Sequence, residues 1–146
     1  MIKKYRRLVV RHPMKLLAEI IAVFDNPEVS FEGYGLRRYD LERFGSVEYD
    51  APTPLFSKSI IAPPSDFLIL RLNETGKKAL CGWLSELEPY PNEIHHVRIV
   101  QDGKRFFQAD DRFDEFGVYL LEEIASKLVP RLYQLHLVEE DELVSG

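Results

Sequence analysis

Residues 94–128, IHHVRIVQDGKRFFQADDRFDEFGVYLLEEIASKL, decide how the rest of the chain is read. Two apolar-bearing runs flank Asp102-Gly103, which predicts a β-hairpin over Ile94–Ala109. A type I′ turn needs φ > 0 at both central positions, which Gly adopts freely and Asp tolerates. A two-residue loop places Gln101 opposite Lys104, Ile99 opposite Phe106, Val97 opposite Gln108 and His95 opposite Asp110. On the other face Val100 meets Arg105, Arg98 meets Phe107 and His96 meets Ala109. Val97, Ile99 and Phe106 make the first face the core side. Arg98 beside Phe107 then becomes a cation–π pair at an exposed site. Beyond the hairpin, Asp114 reads as the cap of an amphipathic helix carrying Leu120, Leu121, Ile124 and Leu128. Pro130 should end it, because its ring would meet the carbonyl of Ser126.

Working back from the hairpin, Phe67–Leu72 is a near-continuous apolar run and predicts a strand buried on both faces. Asn73 to Thr75 should cap a helix to about Leu87, with Leu80, Leu84 and Leu87 on one stripe. Residues 40–65 form an irregular stretch in which Pro52, Pro54, Pro63 and Pro64 forbid a continuous helix or central strand. Leu55, Phe56, Ile60 and Ile61 within it predict a packed edge strand or a lid. Lys4 to Arg11 reads as a first strand, and Pro13 opens a helix with Met14, Leu17, Ile21 and Phe24 on its apolar face. Val29 to Tyr39 should be a second strand in which Gly33 and Gly35 mark a bulge or a close backbone approach. After Pro130, Tyr133, Leu135 and Leu137 alternate with polar residues, as a last strand does. The expected fold is α+β or mixed α/β: one domain over 1–146, with a central, mainly antiparallel sheet of about five to six strands and three helices.

Composition narrows the class. The 146 residues are 45% apolar and 29% charged, with nine Phe and seven Tyr, as in an ordinary soluble domain with a real core. A single cysteine, Cys81, excludes an internal disulfide framework and a multi-cysteine zinc site, which favours a reducing, cytoplasmic setting. Ala79, Leu80, Trp83 and Leu84 around it predict a buried, inert thiol. Pro13, Lys15 and Glu19 interrupt the apolar stretch after the basic N-terminus, so a signal peptide is not expected. No run approaches transmembrane length, and no membrane partner is expected. The net charge of −5 is unevenly spread: residues 1–15 hold six Lys or Arg and no acid, while residues 139–142 are Glu-Glu-Asp-Glu. Such asymmetry fits either a charged partner or a dipolar solvated surface.

The candidate chemistry is sparse. Gly76-Lys77-Lys78 lacks the upstream glycine and the following Ser or Thr of a phosphate-binding loop, since Arg71 and Lys78 stand there. Neither a dinucleotide-binding fingerprint nor a hydrolase elbow is present. Of the four histidines, His95 and His96 are the best site candidates, with Asp110, Asp111 and Asp114 beyond the turn. A carboxylate opposite His95 would fix its tautomer and favour the imidazolium, as in the base–orienter half of a nucleophilic site. No nucleophile stands near them in the sequence. Adjacent histidines on a strand point to opposite faces, so only one could join Asp110 at a metal, and no metal or cofactor is expected. A surface ion pair is the alternative. Lys3-Lys4-Tyr5-Arg6-Arg7 mixes cations with an aromatic, as nucleic-acid surfaces do, but a strand would send its charges to both faces and the pI is near 5.4.

The leading functional expectation is a non-enzymatic protein-binding module. An inhibitor of the immunity-protein or antitoxin kind, masking a basic site on another protein, suits an acidic domain without catalytic motifs. Its contact surface would be Asp110, Asp111, Phe113, Asp114, Glu115 and Phe116, where acids surround aromatics. The alternatives are a small hydrolase or metal-dependent enzyme built on His95, His96 and the Asp110/Asp111/Asp114 cluster, and a nucleic-acid-associated protein using the basic N-terminus.

Overall fold

The computed structural model describes residues 3–59, 65–87, 91 and 93–145. Among them the chain forms β1 (Lys4–Val10), α1 (Pro13–Ala22), β2 (Glu28–Gly33), β3 (Ser46–Tyr49), β4 (Asp66–Arg71), α2 (Glu74–Ser85), β5 (Ile94–Gln101), β6 (Lys104–Ala109), β7 (Val118–Leu121), α3 (Glu122–Gln134) and β8 (Val138–Ser145). Two short 3-10 helices, Leu36–Tyr39 and Leu41–Arg43, lie between β2 and β3. The strands join in one eight-stranded sheet in the order β3-β4-β2-β5-β6-β7-β1-β8, every neighbouring pair antiparallel. The fold is therefore α+β with three helices, and its sheet is larger than the five to six strands expected.

Alternation along each strand divides the sheet into two faces. Val29, Leu68, Leu70, Ile99, Phe107 and Leu120 point to one side and pack in a single core with Leu17, Ile21, Leu80, Leu84 and Leu132 of the helices. Pro13 opens α1, as expected of a residue whose missing N–H costs nothing there. No basic residue lies in the last turn of α1. The carbonyls at and just past its end are met instead by the buried Lys77 of α2, whose Nζ donates to Ala22 O at 3.4 Å and to Phe24 O at 2.7 Å. Asn73 caps α2 by accepting from the Gly76 N–H at 2.8 Å, as its side chain predicts. Among the described residues the opposite face carries no helix. The described residues after β3, up to Ser59, cross part of it, and there Phe56 closes a small second core with Phe67, Ile69 and Val100, against which Leu55 packs. β4 is thus buried on both faces from Phe67 to Leu70, as its apolar run requires.

Five local expectations are corrected. Val29–Tyr39 stops as a strand at Gly33, where a bulge and a close approach coincide: a Cβ there would fall 1.7 Å from Glu93 O. The edge strand inside 40–65 is Ser46–Tyr49, while Ile60 and Ile61 lie outside the described residues. No helix starts at Asp114. Val118–Leu121 pairs with β6 and β1 as a central strand, and the helix begins at Glu122. Pro130 lies inside α3, which continues to Gln134. Burial of Leu128, Val129 and Leu132 outweighs the roughly 3 kcal/mol that an internal proline costs. The last strand is the acidic Val138–Ser145; Tyr133 belongs to α3, and His136 turns the chain with φ 58°.

That acidic strand pairs directly with the basic one. Arg6 donates to both carboxylate oxygens of Glu122 (2.9 and 2.6 Å) and to Asp141 at 2.9 Å. Arg7 pairs with Glu142, and Arg11 with Glu139 at 3.1 Å. The charge asymmetry between the chain ends is therefore largely compensated inside the sheet.

Two glycines of α2 separate propensity from packing. A Cβ on Gly76 would lie 1.8 Å from the carbonyl oxygen of Phe44, whereas Gly82 is exposed with nothing within 4 Å. Urea denaturation should show Gly82→Ala more stable by about 0.5–1 kcal/mol and Gly76→Ala destabilised by more than that.

Candidate functional site

The β5–β6 hairpin turns as expected at Asp102 and Gly103, with φ of 52° and 73°. Gln101 pairs with Lys104 and Val100 with Arg105, and then the register shifts. Ile99 faces Phe107, Arg98 faces Gln108 and Val97 faces Ala109, leaving Phe106 as an extra residue on β6. This bulge corrects the expected pairs beyond the turn. His95 does not meet Asp110. His96 does, through Nδ1 at 2.9 Å from Asp110 Oδ1.

Asp110 is the centre of a polar network on the helix-free face. Arg98 Nη2 donates to Asp110 Oδ1 at 3.3 Å, and Gln108 Nε2 donates to Oδ2 at 2.6 Å. Gln108 Oε1 in turn accepts from Arg105 Nη1 at 2.8 Å. Arg98 Nη2 also reaches Ser59 Oγ at 3.1 Å, and the Ser59 N–H donates to both oxygens of Glu32 at 2.9 Å. Arg98, His96 and Glu32 are all buried. Arg98 is therefore not the exposed partner of Phe107 expected above. Phe107 faces the helices, while Arg98 lies under the segment that carries Ser59. Its Nε and Nη1 have no hydrogen-bond partner among the described residues.

The electrostatics of the network follow from burial and pairing. Burial by itself would raise the carboxyl pKa of Asp110. Hydrogen bonds from His96 and Gln108 and the charge of Arg98 outweigh that and hold it below the ordinary carboxylate value. Burial pulls the Arg98 guanidinium below its usual value, opposed by Asp110 and reinforced by the neighbouring charge of Arg105. Away from this face, Cys81 lies between α1 and α2 with its thiol directed at Ala18 O (3.4 Å), and burial pushes its pKa up to about 11. The thiol is half-buried rather than fully buried as expected, and its raised pKa disfavours the reactive thiolate.

The six residues expected to form a contact surface do not act together. Asp110 is held in the network, and Phe113 is buried against Phe107 with ring centroids 6.1 Å apart. Asp111, Asp114 and Glu115 are exposed, and Phe116 is 62% exposed. They lie on a loop closed by Asp110 N–H to Gly117 O (2.9 Å) and Gly117 N–H to Asp114 O (2.9 Å). Asp111, Arg112 and Phe113 take consecutive left-handed conformations, with φ of 49°, 59° and 63°. Three such non-glycine residues in a row carry strain of about 1 kcal/mol or more each. The Arg112 N–H bond to His95 O (2.9 Å) and the buried Phe113 ring hold the turn in place.

Of the alternative site, His95 lies apart from the Asp110 network. It stacks edge-on with Tyr34 and lies 3.1 Å from Arg112 Nη2. His96 and Asp110 supply a base and its orienter, but among the described residues no Ser, Thr or Cys is hydrogen bonded to His96. No group of three His, Cys, Asp or Glu side chains among them is arranged to hold a metal ion. Among the described residues no helix is long and apolar enough to cross a membrane.

Sequence reasoning missed Gln108 and Arg98 as the partners of Asp110. It also missed a cleft of about 440 Å³ on the same face, lined by Tyr5, Arg7, Arg105, Gln108, Tyr119 and Val144 among others. Alternation along β1 places Tyr5 and Arg7 together, but only the bulge brings Gln108 to the face that Arg105 occupies.

Asp110 should matter more to stability than a surface pair would. Asp110→Asn leaves Arg98 buried beside a neutral group and should cost about 3 kcal/mol or more in urea denaturation at pH 7. Because the carboxyl pKa is depressed on folding, this contribution is complete above the unfolded-chain value of about 4 and disappears as pH falls through the lower folded value. The wild type and the variant should therefore converge in stability toward acid pH.

Compared with protein-family models, with curated proteins and with solved structures, the chain matches none.

Proposed function

We propose that this chain is a protein-binding module that meets a basic partner through the 111–116 loop, with Phe116 as anchor and Asp111, Asp114 and Glu115 as the surrounding charge. The observation that carries this reading is Phe116. It is the most exposed large hydrophobic side chain among the described residues, and it stands on a loop whose backbone is tied at both ends. An aromatic held outward on a preorganised loop loses little entropy on contact. The three exposed carboxylates are in no ion pair among the described residues, and Arg112 is the only cation within the loop. Such an arrangement steers a cationic surface and fixes its orientation. The Arg7 guanidinium lies 5.1 Å from the Phe116 ring centroid and supports the aromatic from the sheet side.

Phe113 and Asp110 drop out of the contact surface and serve as its foundation. An inhibitor of the immunity-protein or antitoxin kind, covering a basic site on its target, is one form this module can take. The network at Asp110 favours binding over catalysis, because its hydrogen bonds run inward to Arg98, Ser59 and Glu32.

Affinity capture from the native cell with wild type, Phe116→Ala and Asp111→Lys/Asp114→Lys side by side tests this surface. A partner bound by wild type should be lost with Phe116→Ala. With the charge-reversed variant its association should slow by about ten-fold or more, and the remaining binding should depend less on salt. Equal retention by all three proteins would overturn the assignment.

A further inference from the structure

The cleft on the helix-free face lies beside the sheet row Arg98–Gln108–Tyr119–Arg7–Glu142, in which each residue is the register partner of the next across five adjacent strands. Three arginines reach this area, and they differ in how their charge is met. Arg98 is buried against Asp110. Arg7 is paired with Glu142. Arg105 donates to the neutral side-chain oxygen of Gln108 and is in no ion pair among the described residues. Its charge is nevertheless felt by its neighbour, since it helps to depress the Arg98 pKa. An arginine that shares a cleft with one other cation, Arg7, and lacks a carboxylate of its own supplies a fork of donors suited to an oxyanion. The remaining walls are aromatic and aliphatic, from Tyr5, Tyr119 and Val144. The volume of about 440 Å³ is within the range of small-molecule sites, whose usual composition is apolar walls with a few placed polar groups.

We infer that this cleft binds a small molecule with a flat apolar body and one carboxylate or phosphate group, the acid on Arg105 and the body against Tyr5 and Tyr119. Arg7 adds charge at the far wall, and the Gln108 amide links the bound acid to the Asp110 network. The cleft adjoins the acidic loop through Arg7, which lies against Phe116, but the assignment rests on Arg105, Tyr5 and Tyr119, so variants at Arg105 and Val144 test it separately from the loop.

The test is an NMR titration of the full chain with naphthalene-1-carboxylate, 1-naphthyl phosphate, neutral 1-naphthalenemethanol and inorganic phosphate. At least one of the two aromatic acids should give saturable shifts centred on Tyr5, Gln108 and Tyr119, and should bind about ten-fold or more tighter than either control. Which acid binds better tells a carboxylate ligand from a phosphate one. Arg105→Gln should weaken that binding about ten-fold or more, and Arg11→Gln, at an exposed pair with Glu139, should leave it unchanged. Val144→Glu places a carboxylate on the lining of an edge strand without touching the Asp110 network, and it too should weaken the acids while sparing the neutral alcohol. Amide dispersion reports whether each variant is folded, and Val144→Glu decides the matter if Arg105→Gln is not. Shifts centred elsewhere, equal binding of alcohol and acid, or wild-type affinity in folded Val144→Glu would overturn the inference.

Discussion

One extra residue on β6, Phe106, sets the arrangement of everything beyond the hairpin turn. Because side chains alternate with a period of two, inserting one residue exchanges the faces of all that follow. Both aromatics of Phe106-Phe107 are thereby directed to the helix side, where Phe106 packs on Phe24 at 5.1 Å and Phe107 on Phe113 at 6.1 Å. Two large rings on one face stabilise the bulge, since the regular register would turn one of them to the polar side. Gln108 and Asp110 are carried to the helix-free face, and His96, already directed there with Arg98, becomes the partner of Asp110.

The two faces of the sheet do different work. The helix face holds the larger core and accounts for folding. The other face is divided: near β2, β4 and β5 it is covered by the segment bearing Phe56 and Ser59, and near β1, β6, β7 and β8 it is open as a cleft. The Asp110 network lies at the boundary between these halves. A buried arginine with two donor atoms unpaired among the described residues is costly to place, and Asp110, Ser59 and the nearby Glu32 offset that cost. The network therefore connects the covering segment to the hairpin by charge, beside the apolar contact of Phe56.

The loop after β6 shows how a strained backbone can be tied to a surface. Three consecutive left-handed residues persist because Phe113 is anchored in the core and the loop ends are hydrogen bonded to each other. The same geometry leaves Asp111, Asp114, Glu115 and Phe116 outward. Exposure of Phe116 is thus a consequence of where Phe113 is buried.

What the sequence by itself determined was local. Asp102-Gly103 specified the turn, Pro13 the start of α1, Asn73 the cap of α2, and the run from Phe67 a strand buried on both faces, because each depends on the backbone preferences or apolar pattern of a few adjacent residues. The tertiary structure decided the rest. Val118–Leu121 carries helical spacing with Ile124 and Leu128, and only its place between β6 and β1 makes it a strand. Pro130 breaks a helix in isolation, but burial of its neighbours keeps α3 intact. The basic and acidic ends fit a partner surface or a dipolar solvated one until β1 and β8 lie side by side and pair their charges. Whether His95 or His96 meets Asp110 depends on one bulge, whose cause is the packing of Phe106 and Phe107 against residues far away in the chain.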